Sequence, residues 1–155
     1  MPSLDEVYRK FGEVAEAAQL LETELGTNLL MIRAMEDSLL SQPDQDRAAD
    51  ILRTINRHTL GQILKHLNGR IESLDKLEFI LWDALQERNR LFHSFYRQHN
   101  FRRNSDEGRA LMLDDLERIH QSLLTAFKAV MLLSGIDLES AASAAYSLPT
   151  RHVPI

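Results

Sequence analysis

Arg88 is followed directly by Asn89 and, five positions beyond the arginine, by His93. Histidine is the side chain whose ordinary pKa lies near neutrality, so it can take up a proton and return it. Arginine carries a planar fork of N–H donors that matches phosphate oxygens and the charge that grows on them. At about 100° per residue, Asn89 and His93 fall one turn apart on the same line of a helix, whereas Arg88 and His93 diverge by about 140°. Short motifs also arise by chance, and Arg53 with His58 repeats the same spacing. Context separates the two pairs. Arg53 is followed by a threonine, while His93 is flanked by Phe92, Phe95 and Tyr96.

Charge marks the same place. Between Gln86 and Asn104 five arginines (Arg88, Arg90, Arg97, Arg102 and Arg103) stand against the single acid Glu87, five minus one or +4, in a chain whose net charge is −5. His93 and His99 lie within that stretch. An acidic chain does not coat itself in nucleic acid by bulk attraction, so any anion it holds is met locally. Other templates fail. The sequence has no phosphate loop, no dinucleotide fingerprint, no nucleophile elbow, no H-E-x-x-H and no calcium loop. The absence of cysteine removes thiolate metal sites, a cysteine nucleophile and disulfides, and it suits a reducing cytosol. Glu117 and His120 have the spacing of a bundle metal site, but Glu117 sits beside Arg118 toward solvent, so neither metal nor cofactor is expected.

The elements that must position these residues read as all-α. Leu4, Val7, Phe11, Val14, Ala18, Leu21, Leu25, Ile32, Met35 and Leu39 recur every three or four residues, with Asn28 as the polar exception, which predicts one long helix. Ser3 and Glu6 form a capping box at its start, Gly12 and Gly26 invite a bend or a close contact, and Pro43 ends it. Asp44 caps a second stretch with Ile51, Leu52, Ile55, Ile63 and Leu67, interrupted at 56–59 and Gly61 and stopped by Gly69, hence a kinked helix or two short ones. A third helix is expected from about Ser73 to His99, with Leu77, Leu81, Ala84, Leu91 and Phe95 on one seam that also holds Arg88. A second stripe of Trp82, Leu85, Asn89, His93 and Tyr96 runs beside it. After a basic turn at 100–104, a fourth helix starts at Asn104 or Ser105 and closes at Gly135. With short connections this predicts an up-and-down four-helix bundle over 1–146, with a short C-terminal helix at 137–146 and a tail over 147–155. At 155 residues, with 44% hydrophobic and 26% charged residues, the chain suits one globular domain. Its first residues lack the pattern of a signal peptide and no apolar run reaches roughly 18 residues, so a cytoplasmic protein with no membrane partner is expected.

Arg88-Asn89…His93, late on a bundle helix, resembles the HEPN superfamily of small all-helical proteins, whose hallmark is Arg, a polar residue that is usually Asn, and His four to six positions after the Arg. The resemblance implies a homodimer with the two motif helices facing across a cleft, and metal-independent cleavage of an RNA substrate by a toxin or phage-defence effector under the control of an antitoxin or other regulator. It implies that His93 handles protons, Arg88 holds the scissile phosphate and Asn89 orients one of them. Arg90, Tyr96, Arg97, Arg102 and Arg103 would then bind RNA. Some HEPN toxins carry a tyrosine two residues after the histidine, modified by the cognate antitoxin; here that position is Phe95, and Tyr96 follows it. The alternative is a non-catalytic helical dimer acting as an adaptor. On plain structural grounds Arg88 would pair with Glu36, Asp37 or Asp115, and Trp82, Phe92, Phe95 and Tyr96 would belong to a core or dimer interface. His58, His66, His99, His120 and His152 are read as non-catalytic.

Overall fold

The computed structural model describes residues 1–37, 42, 44–56 and 75–133, and all the regular structure among them is helical. Helix α1, Leu4–Glu36, opens with the expected capping box: the Ser3 backbone N–H donates to Glu6 Oε2 (2.5 Å) and the Glu6 N–H to Ser3 Oγ (3.1 Å). The bond from the Ser3 backbone holds the Glu6 carboxyl below its usual range. Val7, Val14, Ala18, Leu21, Leu25 and Leu29 are fully buried along the apolar stripe. The helix runs unbroken through Gly12 and Gly26. At Gly12 the space beside the Cα is open, so no close helix contact explains that glycine.

Helix α2, Gln45–Asn56, starts where Asp44 Oδ1 accepts the Arg47 N–H (3.0 Å) and packs on α1, with Ile51 buried. The expected kink, Gly61 and the Gly69 stop lie outside the described residues, as do Gly135, the short C-terminal helix and the tail.

Helix α3, Asp75–His93, is shorter than expected. Ser94 departs from helical geometry (φ −142°, ψ −8°) and its Oγ donates back to the Arg90 carbonyl (3.1 Å), the local bond by which serine competes with a helix. The chain resumes as the single turn α4, Phe95–His99, and tightens into a 3₁₀ turn over Asn100–Asn104. Asn100 combines φ of 38° with ψ of −113°, and positive φ is uncommon outside glycine but enriched in asparagine. Helix α5, Asp106–Leu133, begins with Ser105 Oγ accepting the Gly108 N–H (3.0 Å), which agrees with the expected start.

Cross-helix bonds set the directions. Pro2 meets Arg109 and Lys10 meets Glu117, so α1 and α5 run parallel. Asp83 meets Ser122 and Arg90 meets Asp115, so α3 runs against α5; Phe11 stacks with Tyr96 and Glu22 pairs with Arg88, so it runs against α1 as well. The core lies between α1, α3 and α5, where Leu81, Ala84, Leu91, Phe95, Met112, Leu116, Ile119 and Leu123 are buried with the α1 stripe. No helix of the described residues is long and apolar enough to cross a membrane.

Candidate functional site

Arg88 lies where α3 meets α1. Its Nε donates to Glu22 Oε1 at 2.8 Å, one terminal nitrogen donates to Asn89 Oδ1 at 3.2 Å, and the guanidinium sits 5.1 Å from the centre of the Phe92 ring. A cation on an apolar seam needs an acid or an outlet to water, and Glu22 supplies the acid. Its partner is therefore neither Asp37, which takes Arg47 (2.9 Å), nor Asp115, which takes Arg90. Asn89 and His93 are exposed, and the His93 imidazole makes no side-chain hydrogen bond among the described residues. The His93 carbonyl accepts from Arg97 (3.1 Å). The structure thus joins Arg88 to Asn89 and leaves His93 farther round the same helix, open to solvent.

Arg90 serves a different purpose from the one its charge suggested. One terminal nitrogen donates to Asp115 Oδ2 (2.7 Å) and the other to Asp115 Oδ1 (2.8 Å), while Nε (3.1 Å) and the second terminal nitrogen (2.7 Å) donate to Glu87 and the first also reaches Gln98 (3.2 Å). The hydrogen bond to Asp115, against the cost of burial and with help from Glu87, raises its pKa above the usual arginine value. With its fork filled from within the chain, Arg90 is a structural cation rather than a free anion ligand.

Asp115 is the centre of this cluster. It is 6% exposed and accepts from Arg90 at both oxygens, from His99 Nε2 (2.7 Å) and from Arg118 (2.7 Å). Burial pushes the carboxyl up, but the hydrogen bonds from Arg90 and His99 outweigh it and hold Asp115 well below the usual carboxylate range. His99 is 3% exposed, and its Nδ1 lies 3.1 Å from an Arg102 nitrogen. A guanidinium can only donate, so Nδ1 accepts; this bonding pattern assigns the neutral tautomer with the proton on Nε2, facing Asp115.

The basic turn is pinned as well as linked. A Cβ on Gly108 would fall 2.1 Å from the Arg102 carbonyl oxygen, so only glycine lets the turn lie this close to α5. Arg109 ties the turn to the chain's start, donating to the carbonyls of Arg103 (2.9 Å) and Pro2 (2.6 Å) and pairing with Asp106. Arg97, Arg102 and Arg103 are exposed and pair with no carboxylate among the described residues. Tyr96 is half exposed and packs against Phe11 (5.3 Å between ring centres) and Phe95 (5.2 Å). His120 accepts from Lys10 at Nδ1 (2.9 Å), and burial, then Lys10, lowers its pKa.

Sequence reasoning missed Glu22, and nothing local singles it out. It also passed over the Asp115–His99 pair, although an acid on the inward stripe beside Met112, Leu116 and Ile119 was a readable sign. No three His, Asp or Glu side chains among the described residues gather into a group that could hold a metal ion. Compared with protein-family models, curated proteins and solved structures, the chain matches none.

Proposed function

We propose that the protein is a metal-independent endoribonuclease of HEPN type, a homodimer on a four-helix framework that acts in the cytoplasm as a toxin or defence effector under a protein regulator. The observation that carries the reading is the solvent-open His93 on the helix that also carries the joined Arg88 and Asn89, followed in the chain by three arginines without carboxylate partners among the described residues. His93 takes the proton of a ribose 2′-hydroxyl, whose oxygen attacks the neighbouring phosphorus. The P–O5′ bond breaks, the 5′ oxygen receives a proton, and the fragments end in a 2′,3′-cyclic phosphate and a 5′-hydroxyl. Arg88 neutralises the charge that grows on the phosphate, and Asn89 holds its fork in line. Arg97, Arg102, Arg103 and Tyr96 bind the flanking RNA, while Arg90 supports them from below. Pairing of two α3 helices also removes Phe79 and Trp82, 73% and 42% exposed, from water.

One observation favours the adaptor reading. Glu22 already neutralises Arg88, which is how a purely structural arginine is satisfied. The two readings part in one assay, cleavage of mixed RNA in excess chelator by wild type, Arg88→Ala and His93→Ala, matched for stability and assembly. The nuclease reading predicts cutting by wild type alone. No cutting by any of the three supports the adaptor, and equal cutting by all three overturns the assignment of the chemistry to Arg88 and His93.

A further inference from the structure

The end of the molecule where α4 and the 3₁₀ turn meet the start of α1 carries more aromatic surface than a solvated turn needs. Tyr96 stacks on Phe11, which also meets Phe95 (5.8 Å between ring centres), and Tyr8 lies one helical turn before Phe11 on α1. Tyr8 and Tyr96 are 46% and 40% exposed, and Phe101, on the turn, is 76% exposed. Burial first, and then Tyr8, push the Tyr96 phenol up while Arg103 draws it down, so Tyr8 and Arg103 each lie within electrostatic reach of Tyr96. Arg97, Arg102 and Arg103 supply positive charge that no carboxylate among the described residues cancels. The surface is held in shape beforehand, by the close approach at Gly108 and by the Asp115–His99–Arg102 chain of hydrogen bonds.

We propose that this end is a binding face for single-stranded RNA, on which Tyr8 and Tyr96 stack unpaired bases while Arg97, Arg102 and Arg103 hold the phosphates between them. The choice of RNA rests on the nuclease reading above; the preference for a single strand comes from the rings, since bases inside a duplex are already stacked and out of reach. Tyr8 is the new element. It comes from a different helix from the rest and lies outside the basic stretch of sequence.

The test is binding of a labelled, unstructured RNA oligonucleotide and of the same sequence as a duplex, by the full chain carrying His93→Ala so that the RNA survives. Tyr8→Ala is expected to weaken single-strand binding about 5–150-fold, the range for loss of one stacked base, and Tyr8→Phe to restore it. Neither changes the salt dependence. Arg103→Gln is expected to weaken binding and to make the slope of log affinity against log salt shallower by about 0.7. Full affinity in Tyr8→Ala, equally tight duplex binding, or no binding by the parent overturns the proposal. A wild type that binds in the expected way and cuts no RNA refutes the nuclease while the face stands. One that cuts RNA although Tyr8→Ala binds unchanged refutes the face alone.

Discussion

Replacing Asp115 by alanine removes the acceptor for Arg90, His99 and Arg118 at once. The Arg118 side chain is 78% exposed, so its bond contributes at most about 1 kcal/mol. Arg90 and His99 are the costly partners: the His99 side chain is 4% exposed and loses the carboxylate it faces, and the Arg90 side chain, 23% exposed, keeps Glu87 and Gln98 but loses both of its bonds to Asp115. Breaking a buried pair in this way costs about 3–5 kcal/mol, a large share of the 5–15 kcal/mol typical of a domain. At roughly 2–4 °C per kcal/mol for a chain of this size, Tm should fall by about 6–20 °C. Asp115→Asn keeps one acceptor oxygen but turns an amide toward the guanidinium, so it should fall between alanine and wild type. Urea denaturation followed by circular dichroism gives the stability, and a cycle with Arg90→Met gives the coupling, expected to exceed about 1 kcal/mol. The folded carboxyl titrates below its unfolded value of about 3.9, so its stabilising contribution is complete above that pH and is lost as the pH falls from there through the folded value. Asp115→Asn should lack that acid limb. A loss under about 1 kcal/mol for Asp115→Ala, or strict additivity with Arg90→Met, would refute the idea that a buried cluster ties α3, α4 and α5 together.

Two further substitutions probe the same framework. Gly108→Ala should stabilise by up to about 1 kcal/mol if helix propensity alone counts. The backbone contact at 2.1 Å predicts the opposite sign, a loss of about 1–3 kcal/mol readable in a thermal melt. Glu22→Gln keeps an acceptor for Arg88 and removes the charge that competes with phosphate, so in a His93→Ala background RNA should bind more tightly, with a salt slope steeper by about 0.7; an unchanged slope contradicts that role.

What the sequence made legible was local. The Ser3–Glu6 box, the Asp44 cap, the start of α5 and the stripe of α1 from Val7 to Leu25 each depend on residues within a few positions of one another, and each is found as expected, while Leu29, outside that stripe as read from the sequence, is buried as well. The break at Ser94 was not legible, because Leu91 and Phe95 keep helical spacing across it and both are buried. Pairings across the fold were hidden for a different reason. Glu22 is 66 residues from Arg88, and periodicity places Arg88 on an inward seam without saying which acid meets it. Asp115 was weighed as the partner of Arg88 and is instead the partner of Arg90, two positions along the helix and on another side of it. Helix directions were equally beyond a periodic pattern, which is the same read up or down.

If His93 takes a proton from the ribose 2′-hydroxyl while Arg88 holds the adjoining phosphate, cleavage depends on that hydroxyl. The most direct measurement is to incubate wild-type protein, in excess chelator, with an RNA oligonucleotide and with its copy carrying a single 2′-deoxy residue at the position that is cut, and to identify the product ends. The expected products are a 2′,3′-cyclic phosphate and a 5′-hydroxyl from the first, with no cut at the substituted position of the second. Equal cleavage of both, or an RNA left whole, would contradict that chemistry.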